Sequence, residues 1–198
     1  MKKLLLPLVA IMLLASCHSG TDADSIDIAQ DSTARVDSFF PVTSFIKGQF
    51  ILLDSTPVTP LLLTTINDKT DSVWIKRDSL RSYLQSFVDE TISHQRLHDF
   101  FKETRFKDLT INSITFTYEP IKSLPDSIKI TNWDVYVNPE TGKISKIYIV
   151  KNWKDNKYTI TQQLTWLTEK SAQITTIKEP DAGGKAEIVE KEYKWNFN

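Results

Sequence analysis

Cysteine is almost missing from this chain: Cys17 stands alone among 198 residues. An intrachain disulfide and a C-x-x-C pair are thereby excluded, and beyond Cys17 no thiol remains to act as a nucleophile. Glycine is nearly as scarce. Five in all form no G-x-G-x-x-G or Walker loop and leave little room for phosphate-cradling loops. Three histidines occur, with neither H-E-x-x-H nor G-x-S-x-G around them. Neither sign of charge dominates. The 24 basic and 25 acidic side chains form no basic patch, which argues against a nucleic-acid partner. No catalytic residue, metal ligand set or cofactor is nominated on these grounds.

Long apolar runs are also absent, save one at the start. Lys2 and Lys3 precede Leu4–Ala15, which is apolar throughout and interrupted only by Pro7. That run is shorter than the about 20 residues a membrane span needs. A positive start, a short apolar core and small residues before a cleavage point have the layout of a secretory signal. Its ending, Leu14-Ala15-Ser16-Cys17, resembles a bacterial lipobox. The resemblance implies cleavage before Cys17, acylation of its thiol and a membrane partner reached through that lipid. Residues 1–16 are therefore expected to be a signal peptide. Their removal takes Lys2 and Lys3 away, leaving 22 basic side chains against 25 acidic ones.

Residues 17–38 form an expected tether. Asp22, Asp24, Asp27, Asp31 and Asp37 face a single Arg35, amid Ser, Thr and Ala. Such a segment buries too little apolar surface to offset its ordering entropy, so disorder is predicted. An aspartate just after the lipidated cysteine resembles an inner-membrane retention signal of enterobacteria. His18 stands there instead, which implies the outer membrane. The acidic residues further on resemble the surface-export signals of Bacteroidota lipoproteins, so the resemblances leave open whether the domain faces the periplasm or the cell surface.

A single domain is expected over residues 39–198. Aromatic residues make up 11 % of the chain, enough for a core held by packing alone. Val42, Phe45, Ile46, Gln49 and Leu53 follow helical spacing, with Pro41 at the helix start and Pro57 and Pro60 beyond its end. Leu61–Asn67 and Ser72–Arg77 read as a hairpin turning at residues 67–71. Asp78 or Ser79 is placed to cap a second helix, whose stripe is Leu80, Leu84, Phe87, Val88 and Thr91. Ser93 restarts the helix, with Leu97, Phe100 and Phe101 on its buried side. His94 and His98 lie four apart there, a spacing that zinc uses. Gln95 replaces the glutamate of the zincin pattern, and only Asp99 or Glu103 is near as a third ligand, so a solvated surface pair is expected.

From Asp108 onward the period becomes two. Strands are predicted over Asp108–Tyr118, Ile128–Val137, Lys143–Trp153, Lys157–Leu167, Ala172–Lys178 and Ala186–Trp195. Residues 138–142 (Asn-Pro-Glu-Thr-Gly) make a turn, and Asp155-Asn156 makes another. The second turn puts Ile147, Ile149, Trp153, Tyr158, Ile160, Leu164 and Trp166 on one face and Thr159, Thr161, Gln163 and Thr165 on the other. Pairing Asn138 with Lys143 puts Ile144, Tyr148 and Val150 with Trp133, Val135 and Val137. The strand Lys143–Trp153 is then apolar on both faces, unless a bulge shifts its register by one. The expected fold class is α+β, with N-terminal helices packed against a strongly twisted antiparallel β-meander of about five to seven strands.

Asn132–Lys151 resembles the hairpins of PepSY-type envelope domains, which end in a similar Thr-Gly-Lys turn. The chain as a whole resembles Bacteroidota envelope lipoproteins of no assigned activity. Its architecture is similar to ligand-binding cones and lipoprotein-carrier half-barrels. Trp74, Trp133, Trp153, Trp166 and Trp195 are expected to fill the core, with sugar stacking as the rival use of their rings. Carboxylates such as Glu119, Asp126 and Asp134 mark no acid/base pair without geometry. The functional expectation is a lipid-anchored cell-envelope protein with a non-catalytic domain that binds an envelope protein or an apolar or glycan ligand. The alternative is a hydrolase without a recognisable motif.

Overall fold

A computed structural model describes residues 38–196. Cys17 and residues 1–37, which carry the expected signal peptide and most of the tether, lie outside the described residues. The described part belongs to one compact unit, Asp37–Asn198.

The first helix, α1, spans Val42–Ser55 and follows Pro41, which occupies its N-cap. Val42, Ile46, Phe50 and Leu53 are buried at three- and four-residue intervals, so one stripe faces inward. A second helix, α2 (Arg77–Tyr83), passes into a 3-10 turn at Gln85–Phe87. Lys76 rather than Asp78 or Ser79 holds its N-cap, and no side chain caps it. Leu80, Leu84 and Phe87 are buried as the stripe predicts, whereas Thr91 is exposed. The helix α3 is only His94–Leu97.

Nine strands follow a single antiparallel order: β1 (Leu61–Ile66), β2 (Lys69–Trp74), β3 (Phe101–Asp108), β4 (Ser113–Pro120), β5 (Ile130–Val137), β6 (Ile144–Asp155), β7 (Tyr158–Leu167), β8 (Ser171–Pro180) and β9 (Glu187–Lys194). Across the sheet they run β2-β1-β9-β8-β7-β6-β5-β4-β3. The α+β class therefore holds, but the expected five to seven strongly twisted strands do not. The sheet has nine strands and is flat. Two features raise the number. The early hairpin joins the same sheet beside β9, and Phe101–Asp108, where the sequence predicts a helix reaching Phe101 and no strand before Asp108, is an edge strand. Because β2 and β3 are free edges, nothing imposes the strand tilt that closure requires.

Two turns show how register arises. The β1–β2 loop is Asn67-Asp68, both at positive φ (48° and 65°), a two-residue hairpin turn that matches strand twist. It replaces the longer loop expected over residues 67–71. The β6–β7 loop is Asn156-Lys157, with Asn156 at φ 56°. The predicted loop lay one residue earlier, so each pairing slips by two and Trp153 faces Ile160 rather than Tyr158. A slip of two preserves face. Ile147, Ile149, Leu164 and Trp166 accordingly share the buried face.

The choice left open for β6 resolves as a bulge. Val137 pairs Ile144 while Tyr136 pairs Lys146, leaving Ser145 extra, and a compensating irregularity falls between Ile130 and Asn132. Trp133 and Val135 thereby join Ile149 and Ile147 on the inner face, and Tyr148 and Val150 turn outward.

All helices cover that inner face. Trp133 stacks on Tyr118 (4.5 Å between centroids) and meets Phe101 and Phe39. Trp166 meets Phe50, Phe87 and Trp195. Of the five tryptophans, Trp133, Trp166 and Trp195 are buried, while Trp74 on the edge strand is 60 % exposed, against the expectation that all five fill the core.

Candidate functional site

The helices do not reach across the whole inner face. Along β8 the inward residues run Ala172, Ile174, Thr176, Lys178, and on β9 they run Tyr193, Lys191, Val189, Glu187. Both rows begin buried beneath the helices and become polar where the cover ends. Between α2 and this uncovered part of β7–β9 lies a cleft of about 470 Å³, within the size range of small-molecule sites.

Its wall is Tyr83, Ser82 and Ser86, and its floor includes Gln162, Ile174 and Thr176. Tyr83 stacks on Tyr193 with centroids 5.8 Å apart. Burial, and then Tyr83, push the Tyr193 hydroxyl up to about 12, so it stays a neutral donor at any physiological pH. Gln162 donates from Nε2 to Thr176 Oγ1 at 3.3 Å. Glu187 is the cleft's one carboxylate, and no histidine lines it.

The wall is tied to the sheet by Lys151, an inward residue of β6 that pairs with Gln162. The side chain of Lys151 is 3 % exposed. Its ammonium donates to the Ser86 carbonyl at 2.6 Å and to the Asp89 carboxylate. A buried amine requires partners of this kind, since desolvation without them would favour its neutral form.

A second cavity, of about 410 Å³, is polar and has Asp89, Glu90, Arg96 and Lys129 in its lining. Glu90 accepts from Arg96 Nη2 at 3.0 Å and the Lys129 amide at 3.3 Å. A third, about 450 Å³, lies between the end of α1 and Trp195.

The residues singled out from the sequence do not converge. His94 and His98 stack at 5.0 Å. His94 packs on Phe39, and His98 Nε2 lies 3.2 Å from Asp99. No group of three or more His, Cys, Asp or Glu side chains among the described residues can hold a metal. Glu119 and Asp126 are exposed, and Asp134 faces the opposite side of the sheet, where Tyr136 donates to it at 3.5 Å. Burial, and then the charge of Asp134, raise the Tyr136 hydroxyl. Trp74 and Trp153 stand on opposite faces, by the pairings Leu61↔Trp74 and Trp153↔Ile160, so they form no shared platform for a sugar.

Tyr83, Gln162, Thr176, Lys178 and Lys191 were not nominated from sequence. A legible signal exists all the same: Lys151 falls at an inward position between Ile149 and Trp153, and Lys178 ends an inward row that starts apolar. No protein-family model matches this chain, and no curated protein or solved structure matches it either.

Proposed function

We propose that this is a cell-envelope protein, anchored through lipid on Cys17, whose domain binds a small amphipathic ligand in the cleft between α2 and β7–β9 without transforming it. The anchor is supported by the Leu14-Ala15-Ser16-Cys17 sequence and the apolar run before it. Two or three acyl chains hold a protein where one does not, at about 0.8 kcal/mol per buried methylene.

The observation that carries the binding reading is the make-up of the cleft. Apolar and hydrogen-bonding side chains alternate over a rigid strand floor, the arrangement by which a pocket orients a ligand. Hydrolysis calls for a paired acid and base or an activated nucleophile, whereas this lining offers the single carboxylate Glu187 and no histidine. The rival use of the tryptophans, sugar stacking, loses support from the burial of Trp133, Trp166 and Trp195 and from the separation of Trp74 and Trp153.

Native mass spectrometry of the whole protein purified from envelope fractions tests both parts. The expected outcome is a covalent acyl mass on Cys17 together with a non-covalent adduct. Thr176→Trp, which fills the cleft, should remove the adduct and leave the acyl mass. An adduct that persists unchanged in Thr176→Trp would rule out this cleft, and an unmodified Cys17 would rule out the anchor.

A further inference from the structure

We infer that the cleft selects amphiphiles whose polar end is an anion, a carboxylate or a phosphate, drawn by the positive charge that Lys191 and Lys178 give its lining. The inference rests on the binding reading above and adds the class of ligand. Its first support is an apolar shelf that continues the cleft floor. Val189 pairs Ile66 of β1, and Leu62 pairs Tyr193 and Val73, so all of these side chains lie on the inner face. Ile66 is nonetheless 42 % exposed and Val73 52 %, because the helical cover stops short of β1 and β2. Here an apolar body can lie against the sheet and lose water contact.

The second support is charge. Lys191 projects from the middle of this surface as the cross-strand neighbour of Ile174, and it has no ion-pair partner among the described residues. The Lys178 ammonium sits over the Tyr158 ring at 4.2 Å rather than on Glu187, the residue opposite it. Two amines against one carboxylate leave the cleft lining net positive. Lys69 and Asp71, the inward charges of the edge strand β2, offset each other. Beside low-dielectric side chains an ammonium attracts an anion more strongly than in open water, and a charge-assisted hydrogen bond exceeds a neutral one. Gln162 and Thr176 already bond each other, and the two ammonium groups outnumber the single carboxylate Glu187, so an anion complements the net charge of the lining.

The test uses the 198-residue chain carrying Cys17→Ser, so that no attached lipid competes. Dodecanoate, dodecyl phosphate and neutral monododecanoylglycerol are titrated below their micellar concentrations and followed by calorimetry. Both anions should bind at least tenfold more tightly than the neutral lipid. In Lys178→Gln/Lys191→Gln that preference should vanish, with neutral-lipid affinity unchanged within twofold. Should the double variant not fold, Lys191→Glu decides, and its dodecanoate affinity must fall at least tenfold. Equal affinities in the parent chain, or a preference that survives both lysine changes, would overturn the anion assignment and leave the cleft as a binding site. Absence of binding by all three amphiphiles would overturn both.

Discussion

At the scale of single residues, Lys151 and Asp89 show how unequal the two ends of one ion pair are. The Lys151 side chain is 3 % exposed and that of Asp89 is 49 %. Asp89→Ala leaves an ammonium in the interior with only the Ser86 carbonyl, and stranding a buried charge costs roughly 3–5 kcal/mol. Lys151→Met removes the buried charge itself and returns Asp89 to water. Replacing a buried ion by an apolar side chain of similar volume is often neutral or stabilising, so Lys151→Met should change stability by under about 1 kcal/mol. Urea midpoints of the two variants measure the difference, and equal losses would contradict this account of the pair. Parity makes Lys151 visible in the sequence as an inward lysine. Its partner is not visible, because Asp89 lies 62 positions away in an irregular segment whose path no periodicity describes.

At the scale of elements, alternation proved more durable than the turns from which it was argued. The β6–β7 loop lies one residue beyond its predicted place, yet Ile147, Ile149, Leu164 and Trp166 keep their face, since pairings move in steps of two. Phe101–Asp108 was illegible for a related reason. Its Phe-Lys-Glu-Thr-Arg-Phe-Lys-Asp run carries the charges typical of an edge strand, and those charges erase the apolar alternation that would reveal it. The 138–142 turn was legible because its chemistry is local. Asn138 Oδ1 accepts the amides of Glu140 and Thr141 at 2.9 and 3.0 Å, and the Gly142 amide reaches the Asn138 carbonyl. Gly142 has φ 67° with open space around its Cα. Gly142→Ala therefore meets no clash and exposes the cost of left-handed backbone alone, about 1–2 kcal/mol. Thermal or urea unfolding should register that loss. No loss would mean that the turn relaxes to another form.

At the scale of the whole molecule, sequence announced helices on a sheet but not the place where helical cover ends, and the cleft exists because of that limit. The limit depends on α2 stopping at Tyr83 and on Tyr83 finding Tyr193, a contact between residues 110 positions apart. The same burial ties global stability to pH. Tyr118 is fully buried and Tyr193 is 1 % exposed. Burial, the largest cause for both, raises both hydroxyls, that of Tyr193 to about 12 and that of Tyr118 further, although the Phe40 amide donating to it pulls the other way. An unfolded tyrosine ionises near 10. Below pH 10 both states keep the two protons, and these groups add no pH dependence. Above it the unfolded chain releases protons that the folded one retains, so stability falls as pH rises through the interval from about 10 to about 12. Tyr193→Phe removes one such proton while keeping the ring on Tyr83, and its loss of stability between pH 9 and pH 11 should be shallower than that of the parent chain. Urea titrations at the two pH values supply the slopes, and identical slopes would show that the folded Tyr193 hydroxyl reaches solvent as freely as the unfolded one.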